Sequence, residues 1–241
     1  MVRNGCAKEV YMGCCKHNNS KKEKKISIAE QSRNIKQYIM GFLFLVFLVG
    51  GWFYSLVGYF IPLCMVAGIS IATVKGRKWC DWACPRGAFA DKYLKIISRN
   101  GHIPDFLRSW PLRIGVLSFL MLMLTYRISS LWPDPYAIGR FFMILLTVTT
   151  TVGVVLAFLY HQRSWCYICP IGTMSNWVGK NRKQLSMQQD GCIDCKACEK
   201  TCPMKLAPQE LKTKSEMSFK GDCLKCGLCV DACPKKVLEL P

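Results

Sequence analysis

The sequence predicts an α-helical membrane protein with four transmembrane helices, arranged as two pseudo-repeated hairpins, and a C-terminal cysteine-rich α+β module. Three observations lead to this fold class. The 241 residues are 51% hydrophobic yet carry a formal net charge of +18. Long uncharged apolar segments alternate with basic ones, and residues 192–233 hold eight regularly spaced cysteines. This combination excludes an ordinary soluble nucleic-acid-binding protein, whose basic surface comes without such apolar segments.

The C-terminal cysteines form the pattern C-x2-C-x2-C-x3-C-P twice. In this pattern, typical of two-cluster bacterial ferredoxins, the fourth cysteine binds the other cluster. Structural zinc is the alternative, because Cys-x2-Cys pairs also suit tetrahedral zinc, but two quartets closed by Cys-Pro favour clusters. Residues 187–241 are therefore predicted to be a 2[4Fe-4S] ferredoxin domain. The two clusters are assigned to Cys192, Cys195, Cys198 and Cys233, and to Cys223, Cys226, Cys229 and Cys202.

A membrane domain is predicted over residues 39–186. Residues 39–74 contain no Asp, Glu, Lys or Arg. One straight helix of this length would measure about 54 Å, against roughly 30 Å for the bilayer core. We therefore expect two short spans here, followed by two more. The four predicted spans are 39–56, 57–74, 111–131 and 140–160.

Two segments outside the predicted spans, and several polar or thiol side chains within the spans, are interpreted as follows. Residues 88–113 are interpreted either as an amphipathic surface helix or as a solvated loop helix with a connector. Residues 173–191 are predicted to be a polar linker to the ferredoxin domain. Cys64 lies within a span and is interpreted as a packing residue. The hydroxyls of Thr147 and Thr149 to Thr151 either pack between helices or face a quinone.

Lysine and arginine are distributed unevenly along the chain. Segments 1–38, 75–113 and 161–241 hold 9, 9 and 13 of them, whereas 127–140 holds two. By the positive-inside rule, both termini and all cysteine motifs lie in the cytoplasm, and the protein sits in the cytoplasmic (inner) membrane. No apolar segment follows closely enough to indicate a secretory signal peptide.

The basic segment 1–38 is predicted to be a disordered cytoplasmic tail. It carries four soft ligands, which either bind a metal or are spare thiols on a disordered tail, and the second interpretation is favoured. The sequence assigns no role to these four residues, Cys6, Cys14, Cys15 and His17.

An internal repeat, Arg-x-Trp-Cys…Cys-Pro-x-Gly, runs from Arg77 to Gly87 and again from Arg163 to Gly172. If the two halves pack about a pseudo-twofold axis, their four thiols converge. A third iron–sulfur cluster is the favoured interpretation, with redox-active dithiols and purely structural or zinc-binding cysteines as alternatives. The possible third site comprises Cys80, Cys84, Cys166 and Cys169, shielded by Trp79, Trp82 and Trp165, with Arg77, Lys78 and Arg163 offsetting its charge.

Over residues 39–241 these motifs resemble the NapH-type, NosR-related family of polyferredoxin-like membrane 4Fe-4S proteins. The resemblance rests on four spans, two Cys-Pro motifs and the double cluster array. It implies electron transfer involving the quinone pool, cytoplasmic donors and respiratory reductases.

The predicted function is a membrane-bound iron–sulfur subunit that relays electrons between cytoplasmic donors or the quinone pool and a respiratory or anaerobic reductase. The alternative is a redox-driven factor for metalloenzyme assembly or metal reduction. No paired carboxylates, phosphate-binding glycine loop or nucleophile with a base indicates a substrate-transforming site, so any enzymatic role is that of an electron-transfer component in an oxidoreductase complex.

The expected partners are a cytoplasmic ferredoxin, flavodoxin or quinone, together with other redox subunits, and no nucleic acid. Lysines near the clusters either steer an acidic partner, contact anionic lipid or are simply solvated. They are Lys196, Lys200, Lys205, Lys225, Lys235 and Lys236.

Overall fold

The computed structural model describes residues 28–99, 101, 103–180, 182–188, 191–213 and 220–240. Four helical segments of the described chain are long and apolar enough to cross a membrane. The predicted fold class, a mostly helical chain with four such segments and a C-terminal ferredoxin-like module, is confirmed. The predicted tail ligands Cys6, Cys14, Cys15 and His17 lie outside the described residues.

The first two spanning helices are α1, Ile28–Phe53, and α2, Phe60–Lys75, joined by a short 3-10 turn over Ser55–Tyr59. The predicted division of the uncharged segment into two spans is confirmed. Helix α1 begins eleven residues before the predicted span, so that residues 28–38, expected within the tail, are helical.

The turn between α1 and α2 packs closely against another part of the membrane domain. A side chain at Gly58 would collide with the carbonyl oxygen of Gly139, and one at Gly139 with the carbonyl oxygen of Ser55. Glycine at both positions therefore lets two backbones meet directly.

The third and fourth spanning helices are α6, Trp110–Leu131, and α7, Pro135–Leu159. Helix α7 begins five residues before the predicted span because its start is capped. The carboxylate of Asp134 accepts hydrogen bonds from the backbone N–H groups of Tyr136, at 2.9 Å, and Ala137, at 3.4 Å. Pro135 occupies the first turn, where it sacrifices no helical hydrogen bond.

Between the spanning pairs the chain forms short helical pieces. After α2 come a 3-10 turn (Gly76–Lys78), a π-helical turn (Trp79–Ala83), α3 (Pro85–Phe89) and a second π-helical segment (Ala90–Leu94). Two further short helices are α4, Lys95–Ile97, and α5, Asp105–Arg108. The corresponding region after α7 contains α8, Trp165–Ile168, and α9, Pro170–Gly179.

The interpretation of residues 173–191 as a polar linker is wrong for its first part, because α9 packs against α2 and buries polar side chains. A Cβ at Gly179 would lie 3.0 Å from the carbonyl oxygen of Ala72 in α2, so the two helices approach closely. The buried Thr173 and Asn176 have hydrogen-bond partners, and polarity therefore does not indicate exposure here. The low hydrophobicity of this segment therefore did not indicate that it forms a packed helix.

The C-terminal module begins with β1, Ser186–Met187, which pairs antiparallel with β2, Leu238–Glu239, at the end of the described chain. Between them lie α10, Ala197–Thr201, α11, Leu228–Asp231, and 3-10 turns over Pro208–Lys212 and Lys220–Asp222. One apolar core continues from the module into the Cys-Pro segments. Its buried members include Ile103, Leu107, Tyr167, Ile168, Met204, Leu206, Leu211 and Leu224.

Candidate functional site

The structure brings the first predicted quartet, Cys192, Cys195, Cys198 and Cys233, to the lining of one cavity. Its loop is folded by left-handed backbone conformations at Asp194 and Lys196, with φ of 52° and 55°. The Nζ of Lys212 donates to the Cys192 carbonyl at 3.1 Å and to the Asp194 carboxylate at 2.8 Å. The hydrogen bond from Lys212 lowers the pKa of Asp194. Cys195 is exposed, so this cavity lies at the surface of the module.

The second predicted quartet, Cys202, Cys223, Cys226 and Cys229, lines another cavity. Leu224 and Met204, which also line it, are 2% and 0% exposed, so this cavity is the more deeply enclosed. Burial raises the pKa of the Cys202 thiol and raises that of Cys229 to about 12. Both thiols therefore keep their protons in the metal-free chain, and metal binding would release them.

The four cysteines of the internal repeat, Cys80, Cys84, Cys166 and Cys169, also line a common cavity, here called the thiol site. Trp165 lines it as well, whereas the side chain of Trp82 lies outside the described ones. Within the described ranges, no three His, Cys, Asp or Glu side chains converge closely enough to hold a single metal ion. The four cysteines of each quartet instead line a cavity.

The two Cys-Pro motifs have the same local structure despite their different spacers. The N–H of Cys84 donates to the Trp79 carbonyl at 2.9 Å, and the N–H of Cys169 donates to the Trp165 carbonyl at 3.0 Å. The first bond spans five residues and the second four. The π-helical turn thus absorbs the additional residue of the first motif.

The arginine that begins each repeat unit, Arg77 or Arg163, donates a hydrogen bond to the other unit. The Nη2 of Arg77 donates to the carbonyl of Cys166 at 3.1 Å, and the Nη1 of Arg163 donates to the carbonyl of Cys80 at 2.8 Å. Each arginine therefore holds the first cysteine of the opposite motif. This reciprocal contact explains why the repeat contains an arginine three residues before its first cysteine.

The glycine that ends each motif leaves room for this crossing. A Cβ at Gly172 would lie 2.8 Å from the Cys166 carbonyl oxygen and 2.9 Å from the Arg77 Nη2. A Cβ at Gly87 would lie 3.0 Å from the Cys80 carbonyl oxygen and 3.1 Å from the Arg163 Nη1. Any side chain at these positions would therefore displace the arginine or the cysteine backbone.

Gly172→Ala is expected to lower the free energy of unfolding by about 1–3 kcal/mol, the usual range for overpacking a filled site. Thermal unfolding of the detergent-solubilised protein measures the loss. Gly115→Ala is the matched control, since a Cβ there meets nothing within 4 Å and alanine favours a helix interior. Equal stability of the two variants would contradict the close packing of Arg77 and the Cys166 carbonyl against Gly172.

Both repeat arginines are also paired with carboxylates, a partly buried one at Asp91 and a fully buried one at Asp222, and neither pair was predicted from the sequence. Arg163 binds Asp91 through Nε at 2.7 Å and Nη2 at 2.5 Å. Although burial alone would lower the pKa of Arg163, Asp91 raises it well above its ordinary value. Arg77 binds Asp222 at 2.9 Å. The expectation that Arg77, Lys78 and Arg163 freely offset the charge of a cluster is therefore modified, because Lys78 is exposed and the two arginines are paired.

Asp222 is the centre of a buried polar network. It is 1% exposed and accepts hydrogen bonds from Arg77, Arg113 and Asn176. Arg113 forms a bidentate pair with it, at 2.8 and 2.6 Å. These partners are 46 to 145 residues away in sequence, so no local pattern could have revealed them.

Two contacts join the thiol site to the chain segments of the second cavity. Tyr167, between Cys166 and Cys169, donates its hydroxyl to the carbonyl of Met204, two residues after Cys202. Arg77 binds both the Cys166 carbonyl and Asp222, the residue before Cys223. The thiol site and the second cavity are therefore held together by buried hydrogen bonds.

A large apolar cavity, here called the membrane cavity, adjoins the thiol site among the four spanning helices. Its space is about 1140 Å³, part of it open to the outside. Cys84, Cys169 and Trp165 line both this cavity and the thiol site. Cys64, expected to be a packing residue, lines the membrane cavity and is half-buried.

Among the described residues that line the membrane cavity, Arg86 alone is charged. Its guanidinium carbon lies 4.4 Å from the centre of the Trp165 ring. It donates to the Thr149 hydroxyl at 3.3 Å and to the Thr149 carbonyl. Arg86 occupies the position that Ile171 holds in the second motif, so the pseudo-symmetry of the repeat is broken here.

Comparison with known proteins finds matches to both the membrane part of the chain and the C-terminal module. A family model described as "4Fe-4S binding domain" matches twice, at residues 57–104 and 140–187, in agreement with the internal repeat. A second, described as "4Fe-4S dicluster domain", matches residues 191–238. No solved structure matches.

Three relatives illustrate the similarity. The putative electron transport protein YccM of Escherichia coli is 28% identical over 71% of this chain and 53% of its own length. The ferredoxin-type protein NapH of Haemophilus influenzae is 26% identical over 70% of this chain and 63% of its own. The nitrogen fixation protein FixG of Rhizobium meliloti is 22% identical over 71% and 40%. The chain therefore spans between 40% and 63% of the length of these relatives.

The fold, the cysteine motifs and these matches indicate a multi-pass membrane protein with 4Fe-4S binding domains. The relatives and the matched 4Fe-4S domains make the chain similar to NapH-type, polyferredoxin-like membrane proteins.

Proposed function

We propose that this protein is an iron–sulfur relay of the cytoplasmic membrane that carries electrons between a cytoplasmic donor and a membrane quinone or respiratory reductase. The observation that carries the proposal is the serial arrangement of sites. The second cavity is hydrogen-bonded to the thiol site through Tyr167 and Arg77, and the thiol site shares residues with the membrane cavity. In this proposal both termini and all cysteine motifs face the cytoplasm, in accordance with the distribution of positive charge.

The residues of the ferredoxin module fit two [4Fe-4S] clusters. Each cavity presents four thiols, the ligands that such clusters require, on loops with left-handed turns. In this assignment Cys192, Cys195, Cys198 and Cys233 hold one cluster. Cys202, Cys223, Cys226 and Cys229 hold the other. When bound, such clusters supply one-electron redox chemistry.

The thiol site also fits a cluster, which would be the third, because four thiols line it. Its four cysteines come from two motifs that are locked together by the crossed arginines, so the cavity is preorganised. Trp165 and the surrounding core restrict access of water to it. The alternative of two redox-active dithiols at the same cysteines is distinguished by iron content, as considered in the Discussion.

The membrane cavity fits the ring and tail of a quinone. Its lining is aliphatic and aromatic, which suits a lipid-soluble molecule. Arg86 can donate a hydrogen bond to a quinone carbonyl, and its positive charge would stabilise negative charge that develops on that oxygen. Its contact with Trp165 places this donor beside the thiol site.

The exposed first cavity is the proposed contact point for a cytoplasmic ferredoxin or flavodoxin. Lys196 and Lys235 line it and are exposed, as are Lys200 and Lys236. A basic surface of this kind would steer an acidic partner through long-range attraction that weakens as salt is added.

Electron transfer through the protein to a quinone tests the proposal. Liposomes that contain the protein and a quinone are supplied with a reduced one-electron dye outside. We expect quinone reduction, its abolition in the Cys80→Ser/Cys166→Ser double variant, and a rate about ten-fold lower in Arg86→Leu, equivalent to the loss of one strong hydrogen bond. Arg140→Leu, a change of an exposed arginine on α7, should retain the wild-type rate.

Two results would argue against this function. Unchanged quinone reduction in the double variant would exclude the thiol site from the path. Intact iron–sulfur signals together with failed maturation of another metalloenzyme in cells would favour the assembly role.

A further inference from the structure

The two cluster-binding loops differ in charge at one equivalent position. The first loop reads Cys192-Ile193-Asp194-Cys195 and the second reads Cys223-Leu224-Lys225-Cys226. Asp194 and Lys225 share the same left-handed backbone conformation, with φ of 52° and 57°. The module therefore places an acidic residue at one cavity and a basic residue at the other, at the same position in the loop.

The two charges also differ in burial. Lys225 is 3% exposed and lines the second cavity. Its stem lies close to Gly76, the residue before the first Cys-Pro motif, where a Cβ would be 3.5 Å from the Lys225 Cε. The side chain of Asp194 is 46% exposed and is paired with Lys212. Because solvent screens an exposed charge and a buried charge acts through a lower dielectric, Lys225 exerts the stronger field.

Other buried charges near the second cavity add to this asymmetry. Asp222, which precedes Cys223, is surrounded by two arginines, Arg77 and Arg113, so this group carries a net positive charge. Near the first cavity the charged side chains are exposed or half-exposed. The buried environment of the second cavity is therefore the more electropositive of the two.

We propose that Lys225 holds the second cluster site at a higher reduction potential than the first, so that electrons flow inward from the exposed site to the site beside the membrane. This inference rests on the proposed function. Reduction adds negative charge to a cluster, and a nearby buried cation stabilises that added charge. One electron leaves the site of Cys192 and its partners and one arrives at the site of Cys223 and its partners, so the step balances without a co-reactant.

A redox titration followed by electron paramagnetic resonance tests the inference on the anaerobically purified full chain. We expect the two sites of the ferredoxin module to give two midpoints in the wild type, and the Cys80→Ser/Cys166→Ser double variant identifies any further signal as that of the thiol site. Lys225→Met should shift the higher one downward and leave the lower one in place, whereas Asp194→Asn should shift only the lower one, upward and by less. Lys235→Met, a change of an exposed lysine at the first cavity, is the control and should move neither midpoint by as much as Lys225→Met moves the higher one.

Two further variants separate charge from packing. Lys225→Arg keeps the charge and should retain the higher midpoint, and Lys225→Gln replaces Met as the neutral variant if the Met protein loses iron. The inference is overturned if neutral variants leave both midpoints unchanged, if they shift the lower one, or if Lys225→Arg shifts the potential as far as they do. Absence of both 4Fe-4S signals from the wild type would instead overturn the proposed function.

Discussion

Replacement of Cys80 and Cys166 by serine is expected to remove about four of about twelve iron atoms, with the matching sulfide, from the anaerobically purified protein. Serine preserves the shape of cysteine, and the crossed arginines bind main-chain carbonyls, so the packing of the motifs should survive. The eight remaining iron atoms belong to the two sites of the ferredoxin module. Chemical analysis of iron and sulfide provides the measurement.

Cys64→Ser is the control, because Cys64 lines the membrane cavity and lies outside the three quartets. If the wild type and the double variant both contain about eight iron atoms, the thiol site holds no cluster and the dithiol interpretation gains support. A full-length variant is preferable to deletion of the module, since deletion would expose the core that includes Ile103, Leu107 and Tyr167.

Asp222→Ala is expected to lower the free energy of unfolding by about 3–5 kcal/mol, because it leaves Arg77 and Arg113 buried without their carboxylate. The loss should be accompanied by release of the module from the membrane domain. Chemical denaturation in detergent gives the stability, and limited proteolysis between α9 and the module reports the release.

Asp231→Ala serves as the control, since Asp231 is an exposed carboxylate of the same module. The loss of unfolding free energy in Asp222→Asn should lie between those of Asp222→Ala and Asp231→Ala, because an amide keeps a hydrogen-bond acceptor but loses the charge. A change below about 1 kcal/mol in Asp222→Ala, the level of an exposed ion pair, would mean that Asp222 does not hold the two parts together.

Features encoded by short spacing were predictable from the sequence. The two ferredoxin quartets repeat one local pattern, and the structure groups the same cysteines around two cavities, including the exchange of Cys202 and Cys233 between loops. The four spanning helices follow from apolar segments whose length is fixed by the bilayer. Glycine and proline in each Cys-Pro motif indicated the repeat, but the reason for the glycine is seen only in the structure, where it lies against the arginine of the other motif.

Features that depend on distant residues were missed for a physical reason. The partners of Arg77 and Arg163, Asp222 and Asp91, are 145 and 72 residues away, and a buried carboxylate has the same letter as an exposed one. The buried face of α9 was read as a linker because its polar side chains are satisfied inside the protein. Lys225 was grouped with surface lysines, yet it is enclosed.

The sequence by itself predicted the class of protein, the membrane spans and the cysteine quartets, because these predictions depend on composition and on spacing along the chain. Only the tertiary structure decided how the sites are arranged. It joined the thiol site to the second cavity through Arg77 and Tyr167, placed Arg86 in the membrane cavity and buried Lys225 beside one cluster site only. Burial and partnership are set by packing between distant segments, and these determine how strongly each charge acts.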